Sequence, residues 1–336
     1  MATTFTGRDD AGKPLPLQRR SGWAAVLRRL PHQVKHHDTT DRAAALTYYG
    51  LLAIFPGVLV LVSILGLVGR STTQTFLSNV RDVAPAGVFT FLQGVIDQVQ
   101  GRHGAAVIAA IAGGLLALWS ASGYVAAFTR AMNSVYGIDE GRPIWRTAVL
   151  RLAVTIAVVI MLVASAVIVT VTGPVASRVG HGLGLGDAVV TTWNIAKWPV
   201  LLLIVSLMFS LLYWATPNVK RGHFRWITPG GVLAVVIWLV ASGLFAVYAS
   251  FSASYNKTYG SLAGVIIFLV WLWLTNLAIL LGAEFNAEME RQRMVDAGLP
   301  EHTEPFVEVR DTRKLSEAET MRVQQAEQVR RAHVSG

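Results

Sequence analysis

The stretch that decides the fold is residues 261–283, SLAGVIIFLVWLWLTNLAILLGA, which holds no Asp, Glu, Lys, Arg or His. The hydrocarbon core of a bilayer is about 30 Å thick, and a helix needs roughly 20 apolar residues to cross it. This run is long enough, and Asn276 lies deep within it. Five more runs of the same kind precede it, at about 43–67, 105–125, 152–171, 198–215 and 232–250. Local signals bracket them: Pro217 follows the fourth, Thr228-Pro229 is a capping residue followed by proline at the first helical position, and Pro143 plays that role before the third. The predicted fold is all-α, a polytopic membrane bundle of six transmembrane helices. Residues 1–40 read as a basic N-terminal segment, 41–290 as the transmembrane domain, and 291–336 as a flexible charged cytoplasmic tail with room for one short helix.

Composition agrees. The 336 residues are 53% hydrophobic and 15% charged, where soluble domains average about 25% charged. Mean hydropathy is +0.48. There is no cysteine, so disulfides, thiolate metal sites and a cysteine nucleophile are excluded. No apolar run precedes Ala43, so a cleavable signal peptide is not expected.

Charge sets the orientation. Of the 29 Lys and Arg, all but Arg70, Arg81, Arg102, Arg178, Lys197 and Lys257 fall on the side that holds both termini. The positive-inside rule then predicts cytoplasmic termini, which an even number of spans satisfies. Trp23, Val26, Leu27 and Leu30 alternate with Arg28 and Arg29, as in an interfacial helix before the first span. Basic residues there predict attraction to anionic lipids at the cytoplasmic face. In the first external loop, Phe76, Leu77, Val80 and Val83, then Phe91, Leu92, Val95, Ile96 and Val99, recur at helical spacing on either side of Ala84-Pro85. They read as a pair of amphipathic helices, lying on the outer membrane face or covering the bundle.

Chemistry is sparsely marked. Only His36-His37-Asp38 is a dense group of potential metal ligands, and neighbours on a helix point about 100° apart, so it reads as a solvated surface rather than a metal site. No G-x-x-x-x-G-K-[ST] loop is present to cradle ATP, and no strand-turn-helix context supports a serine triad. No cofactor, metal or nucleic-acid partner is expected. The informative residues are polar ones in or beside the spans, because burying them in lipid is costly. Tyr48, Tyr49, Arg130, Asn133, Asn276 and Glu284 are the candidates for a polar cavity or substrate site. Arg130 and Glu284 both fall near the inner boundary and are expected to pair. Pro56 is placed to kink the first span, Pro217 to end the fourth, and Gly260 and Gly264 form a G-x-x-x-G packing pattern.

Several segments in order resemble the YihY/BrkB family of bacterial inner-membrane proteins: DRAAALTYY at 41–49 with Phe55-Pro56, LWSAS at 118–122, AMNSVYG at 131–137, Leu212-Tyr213 with Pro217-Asn218-Val219, YGSLAG at 259–264, and LGAEFNAE at 281–288. Thr47 stands where the family more often has a small apolar residue. The resemblance implies a six-span protein of the inner membrane. It carries the historical label ribonuclease BN, regarded as misassigned, with one branch linked to virulence and another to export of a lipopolysaccharide precursor. The function expected is therefore a transporter or translocase of lipid or another amphiphile in envelope maintenance. The alternative is a non-transporting scaffold for envelope machinery, with a homo-oligomer or an envelope protein as partner. A nuclease is disfavoured by the scattered ligands.

Overall fold

The computed structural model describes residues 22–68, 93, 103–170, 187–220, 224, 226–251 and 261–334. Among these, eight helices follow one another: α1 (Gly22–His36), α2 (Thr39–Val68), α3 (His103–Val135), α4 (Ile144–Thr170), α5 (Asp187–Ala215), α6 (Pro229–Phe251), α7 (Ser261–Asp296) and α8 (Glu317–Val334). Helices α3 to α7 each contain a segment long and apolar enough to cross a membrane, and α2 carries the first apolar run of the sequence over its 30 residues. Large apolar side chains such as Leu115, Ile160 and Leu244 stand largely exposed along these helices, which in water would be costly and in lipid is the normal solvated state. The chain is a membrane helix bundle. Helix α2 lies between α3 and α7, α6 packs on α7, and α4 joins α3 and α5.

Burial concentrates at one end of this bundle, the polar end, where α1, the α3–α4 and α5–α6 connections and the C-terminal segment meet. Phe128, Met132, Tyr136, Tyr213 and Leu280 are almost wholly enclosed there, and the Tyr213 hydroxyl donates to the Ile279 carbonyl at 2.6 Å. Two helices run past the span ends expected from sequence. α3 continues ten residues beyond the expected end of its span and stops in a Schellman arrangement, with Gly137 at φ 60° and the Ile138 N–H on the Asn133 carbonyl at 3.0 Å. α7 likewise extends to Asp296 and ends on Gly298 at φ 106°.

The segment after α7 departs from expectation. A flexible tail is predicted, but Leu299, Phe306, Val307 and Val309 are buried against the ends of α3 and α7. Val309 pairs with Val219 as an antiparallel bridge. The Arg291 guanidinium lies 4.2 Å from the Phe306 ring centre, and Arg330 on α8 donates to the Val307 carbonyl at 2.8 Å. Ser316 and Glu319 form a reciprocal capping box that starts α8: the Ser316 N–H donates to Glu319 Oε2 at 2.9 Å, and the Glu319 N–H to Ser316 Oγ at 3.3 Å. The apolar residues are too few and irregularly spaced to show a period, yet a groove at the polar end buries each of them.

Among the described residues, a close helix approach falls at glycines outside the G-x-x-x-G pattern. Gly260 lies outside the described residues, as do the amphipathic pair of the first loop apart from residue 93 and the side chain of Pro56; Gly264 is half-buried on α7. α6 and α7 meet at Gly230 and Gly282, where a Cβ on either would fall far inside van der Waals contact of the other's carbonyl oxygen. Gly282→Ala is accordingly expected to destabilise by about 1–3 kcal/mol, as overpacking does. The readout is a lower melting temperature in detergent, and Gly243→Ala, which meets open space, serves as the control that should not move.

Candidate functional site

Three polar groupings occupy the polar end. The first joins α1, α2 and α7. Glu284 is enclosed by protein, accepting from His37 Nδ1 at 3.0 Å and from Thr39 Oγ1 at 3.0 Å. The reading of His36-His37-Asp38 as a solvated surface is corrected for His37. The chain turns sharply between α1 and α2, with Asp38 at φ 49°, and His37 becomes buried. Farther along α7, Asn276 accepts from the Tyr124 hydroxyl at 2.7 Å and donates to Thr47 Oγ1 at 3.1 Å. At the end of α7, Glu288 accepts from Arg29 at 2.8 Å and from Arg291 at 3.1 Å, tying α1 to the bundle.

The second grouping crosses the connections. Asn133 donates to Glu140 at 3.1 Å and accepts from the Asn218 N–H at 2.8 Å. Asn218 in turn reaches Asp311 in the C-terminal segment. A side-chain hydrogen bond from Arg313 holds the Asp311 carboxyl down at about 2. Asp139 is pushed up to about 6, chiefly by its hydrogen bond to Glu319 on α8, which is drawn down to about 2 by the same contact. The pair thus shares a proton at mildly acidic pH. Because the Asp139 value is raised on folding, its contribution is full below about pH 4 and is lost as pH rises through about 6, where two carboxylates face each other. Hydrogen exchange in residues 317–334, corrected for intrinsic rates, is expected to quicken across that window. Asp139→Asn should abolish the change, and an identical profile in that variant would refute the link.

The third grouping is a cleft of about 370 Å³, open on one side, between the end of α3, the α3–α4 connection and the start of α4. Arg130, Arg142, Arg151 and Lys314 line it, with Glu140 as its one carboxylate. Glu140 is bound to Arg142 in bidentate fashion, at 2.7 Å from Nε and 2.6 Å from Nη2. Burial works to raise the Glu140 carboxyl, but the hydrogen bonds and charge of Arg142 outweigh it and hold the group below its usual range. The cleft opens beside Ile144 and Trp145, both exposed on the first turn of α4. Among the described residues, no group of three or more His, Asp or Glu side chains is arranged to hold a metal ion.

The chain matches the family model described as virulence factor BrkB over residues 30–305. It belongs to the BrkB family. Among relatives, the ribonuclease-like protein YfkH of Bacillus subtilis (strain 168) is 28% identical over 83% of this chain and its own full length. A UPF0761 membrane protein of Alkalilimnicola ehrlichii is 32% identical over 79% of this chain, which spans only 59% of that longer relative. Another, from Mannheimia succiniciproducens, is 25% identical over 79% of this chain and 89% of its own. No solved structure matches.

Within this BrkB-family bundle the six candidate residues separate. Arg130 lines the cleft, with its guanidinium 5.8 Å from the Tyr49 ring centre. Tyr48 is exposed and meets Tyr49 edge-on. Asn133 sits behind the cleft through Glu140, whereas Asn276 and Glu284 are engaged in packed contacts of their own. The expected Arg130–Glu284 pair does not form: Glu284 is turned to His37 and Thr39. Glu140, Arg142, Asn218 and Lys314 were not singled out by sequence. Asn218 follows Pro217 in a motif that carries the family resemblance, but Lys314 and Asp311 lie beyond the matched span and carry no local signal.

Proposed function

We propose that this protein is a transporter or translocase of lipid or another amphiphile in the bacterial inner membrane, with both termini cytoplasmic and a role in envelope maintenance. The cleft carries this reading. Its lining is amphipathic, cationic at Arg130, Arg151 and Lys314 and apolar at Ile144 and the adjoining face of α4, which suits a molecule with a charged head and a hydrocarbon body. The lopsided distribution of Lys and Arg supports the orientation. Reconstituted into proteoliposomes, the protein should exchange fluorescent anionic lipid between leaflets faster than protein-free vesicles, and Arg130→Ala should slow the exchange. No exchange or uptake across a broad panel of lipids would sink the proposal.

A scaffold for envelope machinery is the second reading. It is favoured by the bonds of Asn276 to Tyr124 and Thr47 and of Glu284 to His37 and Thr39, which leave both side chains to packing rather than to a path. It predicts a stoichiometric membrane partner in cross-linked preparations alongside inert proteoliposomes. The ribonuclease-like wording belongs to the B. subtilis relative and is not carried over.

A further inference from the structure

We propose that the cleft is a phosphate-binding site, with Arg142 as its buried anchor, Arg130, Arg151 and Lys314 as its outer cations, and the head of a phosphomonoester lipid as its occupant. The inference deepens the transport reading, on which it rests for placing the cleft at a membrane surface.

Four observations carry it. First, four cations share one cleft with a single carboxylate, and Glu140 is already committed to Arg142. Among the described residues Arg130, Arg151 and Lys314 form no ion pair. Like charges gathered this way repel, and an anion between them relieves that repulsion the more charge it carries. Second, Arg142 is 95% buried, and its Nη1 has no hydrogen-bond acceptor, although Nε and Nη2 are satisfied by Glu140 and the Thr216 carbonyl. A guanidinium presents five N–H donors, and a buried one left unpaired on a residue of the cleft lining is a place where a bound water or anion can be taken up. The tetrahedral oxygens of a phosphate meet such a fork well. Third, the cleft takes in the first turn of α4, whose N-terminal dipole favours an anion at the same place. Fourth, Ile144 lines the cleft and stands exposed, as does the next residue Trp145, on a helix that enters the membrane, with Arg146 stacked on the Trp145 ring at 5.1 Å. An acyl chain leaving the cleft would run along that apolar face, whereas a free phosphate would make no use of it.

The C-terminal segment is part of the site. Lys314 is held there by its own N–H, which donates to the Gly141 carbonyl at 3.0 Å. Gly141 is required at that position, since a Cβ would collide with the Asp311 carbonyl. The docked segment therefore completes the cation set rather than hanging free.

The test uses the full-length protein in detergent, with binding measured for short-chain phosphatidic acid, inorganic phosphate and short-chain phosphatidylcholine. Phosphatidic acid should bind, phosphatidylcholine should not, and inorganic phosphate should compete weakly. Arg151→Gln and Lys314→Gln, both on the outer wall, should each weaken phosphatidic acid by about tenfold, the weight of one charge-assisted hydrogen bond. Arg28→Gln and Lys35→Gln remove exposed cations from α1 and should leave it unchanged. Inorganic phosphate binding as tightly as the lipid would keep the phosphate site but reject a lipid as its occupant. No binding of either probe, or equal loss in the α1 variants, overturns the site. Loss of lipid exchange with binding intact rejects transport alone; exchange that persists while Arg151→Gln and Lys314→Gln leave binding untouched rejects the site alone.

Discussion

Replacing Glu284 with alanine is expected to destabilise the protein by about 2–6 kcal/mol, since each of two buried donors left unpaired costs roughly 1–3 kcal/mol. The carboxylate is 1% exposed and accepts from His37 Nδ1 and Thr39 Oγ1. Both donors are themselves buried and have no other described acceptor for these contacts. The alanine variant strands them in a space that neither lipid nor water fills well. The contact also braces the sharp turn from α1 to α2, so its loss should loosen α1 on α7, where Arg29 still bonds Glu288 and Gln292 and Val26 stays buried. Glu284→Gln keeps an acceptor oxygen in place and should cost less. The expected order of melting temperature in detergent is wild type, then glutamine, then alanine, with increased hydrogen exchange across 22–36. A glutamine variant as damaged as alanine would mean that charge rather than hydrogen bonding is what the site requires.

The bundle was legible in the sequence because lipid imposes a one-dimensional rule: a crossing helix is a long apolar run, and 261–283 can be read no other way. Outside the bilayer that rule lapses. Hydropathy ends the second span near Val125, but α3 goes on to Val135, because protein packing against Phe128 and Met132 replaces lipid as its surroundings. The C-terminal segment was misread for the same reason. Phe306, Val307 and Val309 are isolated in charged sequence, and nothing local says that α3 and α7 provide a groove for them. The Ser316 and Glu319 capping box that starts α8 is a local pattern that the sequence reading passed over. The cleft was half visible. Arg130 is conspicuous at the end of an apolar run, whereas Lys314 reaches it from the far end of the chain. Gly230 and Gly282 lie on different helices, so no spacing motif could have revealed them.

Asn218→Ala is the second large effect expected, about 3–5 kcal/mol, since buried groups left unpaired cost roughly 1–3 kcal/mol each. The side chain is wholly buried. Its Nδ2 donates to the Asp311 carbonyl at 2.8 Å and the Asp139 carbonyl at 3.3 Å, and its Oδ1 accepts from the Asp311 N–H at 3.1 Å. One amide thus links the α3–α4 connection, the α5–α6 connection and the C-terminal segment. Pro217 before it stops α5 at Ala215 and delivers the amide to this junction. Alanine leaves the Asp311 carbonyl and N–H enclosed without these partners and takes the side-chain donor from the Asp139 carbonyl. Asn218→Asp, identical in shape, should do no better: it keeps the acceptor but turns a carboxylate oxygen toward two carbonyls. Because Asp311 and Lys314 belong to the same segment, its release also withdraws a cation from the cleft. Limited trypsin digestion of the alanine variant should therefore cut first at Arg310, Arg313 or Lys314, at temperatures where α3 to α7 remain intact, and phosphatidic acid should bind more weakly in the same preparation. Protection of those sites equal to wild type would mean that the burial of Phe306 and Val309, and not this amide, holds the segment in place.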